Sequence, residues 1–187
     1  MIGVILAQSA LFLDMGSGPP LGMGSASAAI ARGPSAVFWN PAGLGFSSSQ
    51  ALFFSHWEHF QGIRLEHLAW LLPTGAGSFG FSAGGLYTGG LERRTGPTPE
   101  PEGTFSYYDA FLGLSYSRSF GGAASVGLSV KPLFSKIDDS QAFGVAFDLG
   151  GIYQLGSLCL GLALRNLGPG LKYEAESTPL PSQARIG

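Results

Sequence analysis

Large apolar residues alternate with small or polar ones along most of the chain, with a period of two. From Tyr108 to Tyr116 one set reads Tyr108, Ala110, Leu112, Leu114 and Tyr116, and the other Asp109, Phe111, Gly113, Ser115 and Ser117. Val126, Leu128, Val130, Pro132 and Phe134 alternate with Ser125, Gly127, Ser129, Lys131 and Leu133. Phe143, Val145, Phe147 and Leu149 alternate with Gly144, Ala146, Asp148 and Gly150, and Leu158, Leu160, Leu162 and Leu164 with Cys159, Gly161, Ala163 and Arg165. Phe79, Phe81, Ala83 and Tyr87 stand likewise against Ser78, Gly80, Ser82 and Thr88. A two-residue period places the two sets on opposite faces of a strand. Two less regular strands, Gly62–Leu72 and Ala51–Trp57, precede these five. The pattern predicts an all-β, antiparallel, up-and-down sheet.

The faces have the wrong chemistry for a water-soluble sandwich, whose outward positions carry Lys, Glu and Thr. Here the face opposite the bulky residues is largely Gly, Ser and Ala, with single charges at Asp109, Lys131, Asp148 and Arg165. Small residues with a few charges suit a crowded or wet lumen, and bulky aliphatics suit lipid. The eight steps from Tyr108 to Tyr116, tilted by about 40°, span roughly 20 Å along a membrane normal. That approaches the apolar band of about 25 Å in an outer-membrane barrel.

The connections support the same reading. Pro73–Gly77, Gly121–Gly122 and Leu155–Gly156 are short and rich in turn residues. Lys136–Ser140 is intermediate, and Gly89–Thr104 and Gly168–Pro181 are long. The long ones hold Glu92, Arg93, Arg94, Glu100, Glu102, Lys172, Glu174 and Glu176. Outer-membrane barrels show this asymmetry, with short periplasmic turns and longer external loops.

Composition sharpens the picture. Only 12% of the 187 residues are charged, 45% are hydrophobic, and there are 30 glycines and 12 prolines. Low charge and high hydrophobicity exclude intrinsic disorder. The glycine and proline content argues against a helical bundle. A net charge of −2 with ten Lys plus Arg argues against a nucleic-acid partner. The longest uncharged runs are interrupted by Gly, Pro, Ser and Thr, so no spanning helix is expected. Ile2–Ala7 is apolar and fits either a signal-peptide remnant over residues 1–10 or a buried start of the mature chain.

Residues 11–48 follow neither pattern. Leu21–Gly33 is rich in Gly, Ala and Ser, and Gly33–Gly45 reads as a short helix with Pro34 in its first turn and Pro41 stopping it at Asn40. Such a segment before a barrel, here residues 49–187, is sized to lie in the lumen as a hatch.

The stretch Leu21–Leu44, LGMGSASAAIARGPSAVFWNPAGL, resembles the N-terminal signature of the PorV/PorQ-type outer-membrane proteins of the FadL-like superfamily. Arg165–Gly187, RNLGPGLKYEAESTPLPSQARIG, is similar to that family's Asn-Leu-Gly-Pro turn followed by Pro-Leu-Pro. The resemblance implies a bacterial outer-membrane barrel of about fourteen strands with an N-terminal plug. It places Asn40, Pro41, Ala42 and Gly43 in the hatch or gate. It implies no enzymatic activity and no cofactor. The function it implies is either type IX-like protein secretion and surface attachment, with secretion components or cargo as partners, or transport of a hydrophobic small molecule. A permanently plugged structural barrel is the alternative, and an outer-membrane lipid hydrolase a more distant one. In place of the acidic residues common before the helix in relatives, this chain has Arg32-Gly33-Pro34. Seven strands and the beginning of an eighth leave an open edge, which implies a truncated fragment or closure by several copies.

Other motifs resolve into the same frame. Gly75–Gly80 matches G-x-G-x-x-G but leads into a strand, as a hairpin turn does. Gly80–Gly84 matches G-x-S-x-G, with Ser82 mid-strand rather than at a strand-to-helix elbow. His56-Trp57-Glu58-His59 lacks zinc-protease spacing and reads as a strand end, with Trp57 in an aromatic belt. Asp138-Asp139 reads as a turn, and Cys159 as a small lumen filler. Asp109, Lys131, Asp148 and Arg165 alternate in sign along the chain, which predicts a salt-bridge ladder bracing the lumen against the hatch, with a selectivity or cargo-contact role as the alternative.

Overall fold

The computed structural model describes residues 10–97, 99–173 and 177–187. The Ile2–Ala7 segment, Glu174 and Glu176 lie outside them. Ten strands form one antiparallel sheet: β1 (Ala51–Glu58), β2 (Arg64–Thr74), β3 (Gly77–Arg93), β4 (Gly103–Phe120), β5 (Ala124–Ile137), β6 (Ser140–Leu155), β7 (Leu158–Leu167), β8 (Leu171–Lys172), β9 (Ser177–Thr178) and β10 (Gln183–Ile186). The order is β1-β2-β3-β4-β5-β6-β7-β10, an uninterrupted meander. Beyond β7 the short β8 continues along β6, and β9 pairs with β8.

All seven strands expected from the alternation form, and most are longer than the alternation alone marks. The Gly89–Thr104 connection is shorter than expected, because β3 runs on to Arg93 and β4 begins at Gly103, across a register shift after Thr88. The Lys136–Ser140 connection closes to a two-residue turn in which Asp138 adopts a left-handed φ of 54°. The turns at residues 75–76, 121–123 and 156–157 lie at one end of the sheet, and within the strands that flank them Arg118 is the charged residue closest in sequence. The opposite end collects Glu58, Arg64, Arg93, Asp138 and residues 94–97 and 99–102.

The burial of the faces is the reverse of a soluble core. Leu52, Phe54, Leu112, Val126, Leu128, Phe143, Leu158 and Leu160 are all more than half exposed. Register joins the bulky residues into rows across the sheet. One runs Leu52, Trp70, Phe81, Leu114, Val130, Phe147, Leu167, and another Leu72, Phe79, Tyr116, Leu128, Leu149, Leu164. Trp70 and Phe81 stack with ring centroids 5.4 Å apart. The other face is buried and small: Gly80, Ser115, Ser129 and Asp148 form one row, and Ser78, Ser117, Gly127, Gly150 and Ala163 the next.

Residues 10–48 cover that small face. Their helical turns are 3-10 rather than the single short helix expected. Pro34–Phe38 and Pro41–Phe46 are separate turns joined at Trp39-Asn40. The stop before Pro41 falls where expected, because the residue before proline avoids the α region and Asn40 is extended (φ −152°, ψ 104°). Proline then restarts a turn, since its fixed φ suits a first helical position. The core lies between these turns and the sheet, and includes Phe12, Val37, Phe38, Trp39, Leu44, Leu65, Leu71, Phe111 and Leu133.

One expectation needs correction. Trp57 is turned toward the buried face and packs at the margin of this core instead of standing in an outward aromatic belt. The strand parity decides this, since Leu52, Phe54 and His56 occupy the outward positions of β1. The sheet is open: β1 and β10 are its outer strands and are not paired with each other among the described residues. Among those residues no helix is long and apolar enough to cross a membrane, which says nothing of strands.

Candidate functional site

The expected hatch residues form a close contact between the N-terminal segment and the sheet. Asn40 is fully buried. Its side-chain oxygen accepts the Ala42 N–H at 3.1 Å, capping the second turn. Its amide donates to Ala28 O at 2.6 Å, within the segment, and reaches Leu162 O at 3.2 Å and Gly151 O at 3.3 Å on β7 and β6. Ser117 and Ser125 donate to Ala42 O at 3.1 and 2.7 Å. Pro41 and Ala42 therefore lie on the sheet through their backbone, and the sheet is glycine where they touch. A Cβ on Gly127 would stand 2.5 Å from both Ala42 N and Pro41 C, and one on Gly150 2.0 Å from Asn40 Oδ1. Glycine is required at both positions by this close approach. Gly43 meets Ala31 O in the same way, within the segment.

Asn40→Ala removes the cap and strips Ala28 O of its buried donor. The expected cost is about 2–3 kcal/mol, read as a lower urea midpoint and faster cleavage of residues 21–33 by protease. Unchanged values would mean that Asn40 does not anchor the segment.

Of the four inward charges, Lys131, Asp148 and Arg165 converge and Asp109 stands apart. Lys131 Nζ lies 2.8 Å from Asp148 Oδ2 and donates to Asn166 Oδ1 at 2.7 Å. Asp148 Oδ1 accepts the Asn166 N–H at 2.8 Å. Arg165 Nη2 donates to Leu13 O at 2.9 Å, and its Nη1 is 3.6 Å from Asp14 Oδ1. Asp14 is also held by Arg185 at 3.1 Å. Both guanidinium groups sit within 5.5 Å of the Trp39 ring centroid. Trp39 Nε1 donates to Ser17 O at 2.7 Å, which ties the ring to the early part of the segment. Asp109 instead accepts the Ala10 N–H at 3.2 Å and the Tyr107 hydroxyl. The expected ladder is thus a cluster of three charges bridged to the N-terminal segment at Leu13 and Asp14, and a separate carboxylate that holds the segment nearby at Ala10.

The alternation located Lys131, Asp148 and Arg165 but missed Asn166, Asp14, Arg185 and the Ser17–His67 pair. Asn166 follows Arg165 immediately, and both are buried because the β6–β7 register shifts between Phe147 and Leu149. Its left-handed φ of 56° is one that Asn tolerates. An asparagine breaking a clean alternation is the signal that could have marked it. Ser17 Oγ and His67 Nδ1 are hydrogen-bonded to each other and both are buried, closed off from solvent by the segment.

Ser82 lies within β3, as expected, and Cys159 faces the small side, where its thiol donates to Ala29 O at 3.0 Å. His56 pairs with Glu66 at 2.7 Å across β1 and β2, and Asp138 pairs with Arg93. Among the described residues no group of three or more His, Cys, Asp or Glu is placed to hold a metal ion. No family model and no curated protein matches this chain.

Proposed function

We propose that the chain forms an outer-membrane β-barrel, or a large part of one, of the PorV/PorQ, FadL-like kind. It would serve type IX-like protein secretion and surface attachment or the passage of hydrophobic compounds, with residues 11–48 as its plug. The observation that carries this reading is the pair of faces. Bulky apolar rows cross the sheet on its exposed side, while glycine, serine and charge are buried beneath a segment of the same chain. Contiguous apolar surface on this scale is unfavourable against water and fits lipid. The tight turns at one end, and at the other the charged connections that include the long 93–103 link, fit a periplasmic and an external side. Closure would come from further strands or further copies between β1 and β10.

The mechanism follows from the contacts of the plug. Between Phe12, Phe38 and Phe111 the space left against the sheet is a cavity of about 10 Å³, room for one water, and a wider cleft of about 260 Å³ lies at the tight-turn end beside Gly45 and Ser47. Passage of any compound through this region therefore requires Asn40–Gly43 and the turns beside it to move. In secretion, cargo would instead dock on the charged external loops while the plug stays seated. The anchoring of Asn40 by β6 and β7 also favours a second reading, a permanently plugged structural barrel. No bond chemistry is proposed.

Fractionation tests the membrane assignment. The protein is expected in the outer-membrane fraction with heat-modifiable gel migration, and recovery as a soluble monomer would overturn the barrel. Reconstituted protein lacking residues 21–43 then separates the readings. Altered flux of a hydrophobic compound, or altered cargo binding, supports gating; unchanged values leave the plugged structural barrel.

A further inference from the structure

The small cavity beneath the N-terminal segment has an unusual lining. Its polar side chains are His67, Lys131 and Arg165, and the rings of Phe12, Phe38 and Phe111 help to close it. No carboxylate lines it. Arg165 is 1% exposed, yet Nε and Nη1 have no hydrogen-bond partner among the described residues. Leaving buried donors of a charged group unpaired is costly, so such groups in native proteins point to something that satisfies them.

Charge balance indicates what that is. Asp148 is the one fully buried carboxylate beside the two cations, and both of its oxygens are occupied, one by Lys131 and one by the Asn166 N–H. The carboxylate nearest Arg165 is Asp14 at 3.6 Å, which is partly exposed and shared with Arg185. Lys131, Arg165 and Arg185 thus face Asp148 and Asp14, leaving one positive charge in excess. A water could accept from Arg165 but could not offset that charge, and an organic anion would not fit a space of about 10 Å³. We propose that this cavity binds a single halide-sized monovalent anion, held by the free Arg165 N–H groups. Bound there, it neutralises the cluster and fastens the segment through Leu13 and Asp14 onto β7.

The test uses the full chain and sodium bromide. Crystals grown in bromide should show an anomalous peak within hydrogen-bonding distance of Arg165 Nε or Nη1. In solution, thermal unfolding should occur about 2–4 °C higher in chloride or bromide than in gluconate at equal ionic strength. Arg165→Gln should abolish that difference. Where Arg165→Gln does not fold, the wild-type anomalous map decides alone. Density without anomalous signal (a water), or equal stability in gluconate and halide, overturns the proposal. Neither outcome bears on membrane location, which fractionation settles separately.

Discussion

Lys131→Met is expected to destabilise the protein by about 3–5 kcal/mol, because it leaves a buried carboxylate without its cation. The Lys131 ammonium and Asp148 are 6% and 1% exposed, so water cannot replace the lost partner. Asn166 suffers as well: its side-chain oxygen loses the Lys131 donor. The double variant Lys131→Met/Asp148→Asn should recover most of the loss. An amide at 148 still accepts the Asn166 N–H and carries no charge to strand. Urea unfolding followed by tryptophan fluorescence, to which Trp39 beside Arg165 contributes, measures both. A single-variant cost below about 1 kcal/mol would mean that Asp148 is hydrated, and the buried cluster would not be what holds this part of the sheet.

Gly127→Val should detach the N-terminal turns while the sheet persists. The new Cβ would lie 2.5 Å from Ala42 N and Pro41 C and 2.7 Å from Pro41 O, all backbone atoms. Backbone cannot rotate aside as a flexible side chain does, so the segment must lift. The overpacking costs about 3 kcal/mol, and limited proteolysis should then cut within residues 21–46 long before the strands. Gly151→Val is the control. It lies on the next position of β6, where a Cβ meets nothing within 4 Å, and it should leave both stability and cleavage unchanged. Equal protection of the two variants would show that the contact at Pro41-Ala42 is dispensable. If the segment is a gate, Gly127→Val should also alter flux or cargo binding.

Both results bear on how much could be read from the residues. The strands were legible because alternation is a local property: Leu158, Leu160, Leu162 and Leu164 share a face wherever β7 sits in the sheet. The stop at Asn40 was legible for a similar reason, since Pro41 constrains its neighbour through covalent sterics. The type of turn was not, because a 3-10 turn and an α-turn satisfy the same prolines and differ by what packs around them. Trp57 was misplaced because β1 has apolar residues on both sides, Leu52 and Phe54 against Phe53 and Trp57, so its parity is set by pairing with β2.

The site divides in the same way. Four inward charges were visible as exceptions on a small-residue face, but their partners were not. Lys131 meets Asp148 because β5 and β6 are adjacent in register, and Arg165 reaches Leu13 and Asp14 only because a segment some 150 residues earlier folds onto β7. Asp109 could not be told apart from the other three by its position on a strand, and what separates it is the Ala10 N–H that it accepts.

By itself, then, the sequence determined the strands, the identity of their two faces and the punctuation at glycine and proline, because these depend on steps of one or two residues. Tertiary structure alone decided how the bulky residues join into rows across the sheet, which charges pair, and how residues 10–48 lie against glycines 127 and 150. Those outcomes depend on register and on long-range approach of backbone to backbone, which no local period encodes.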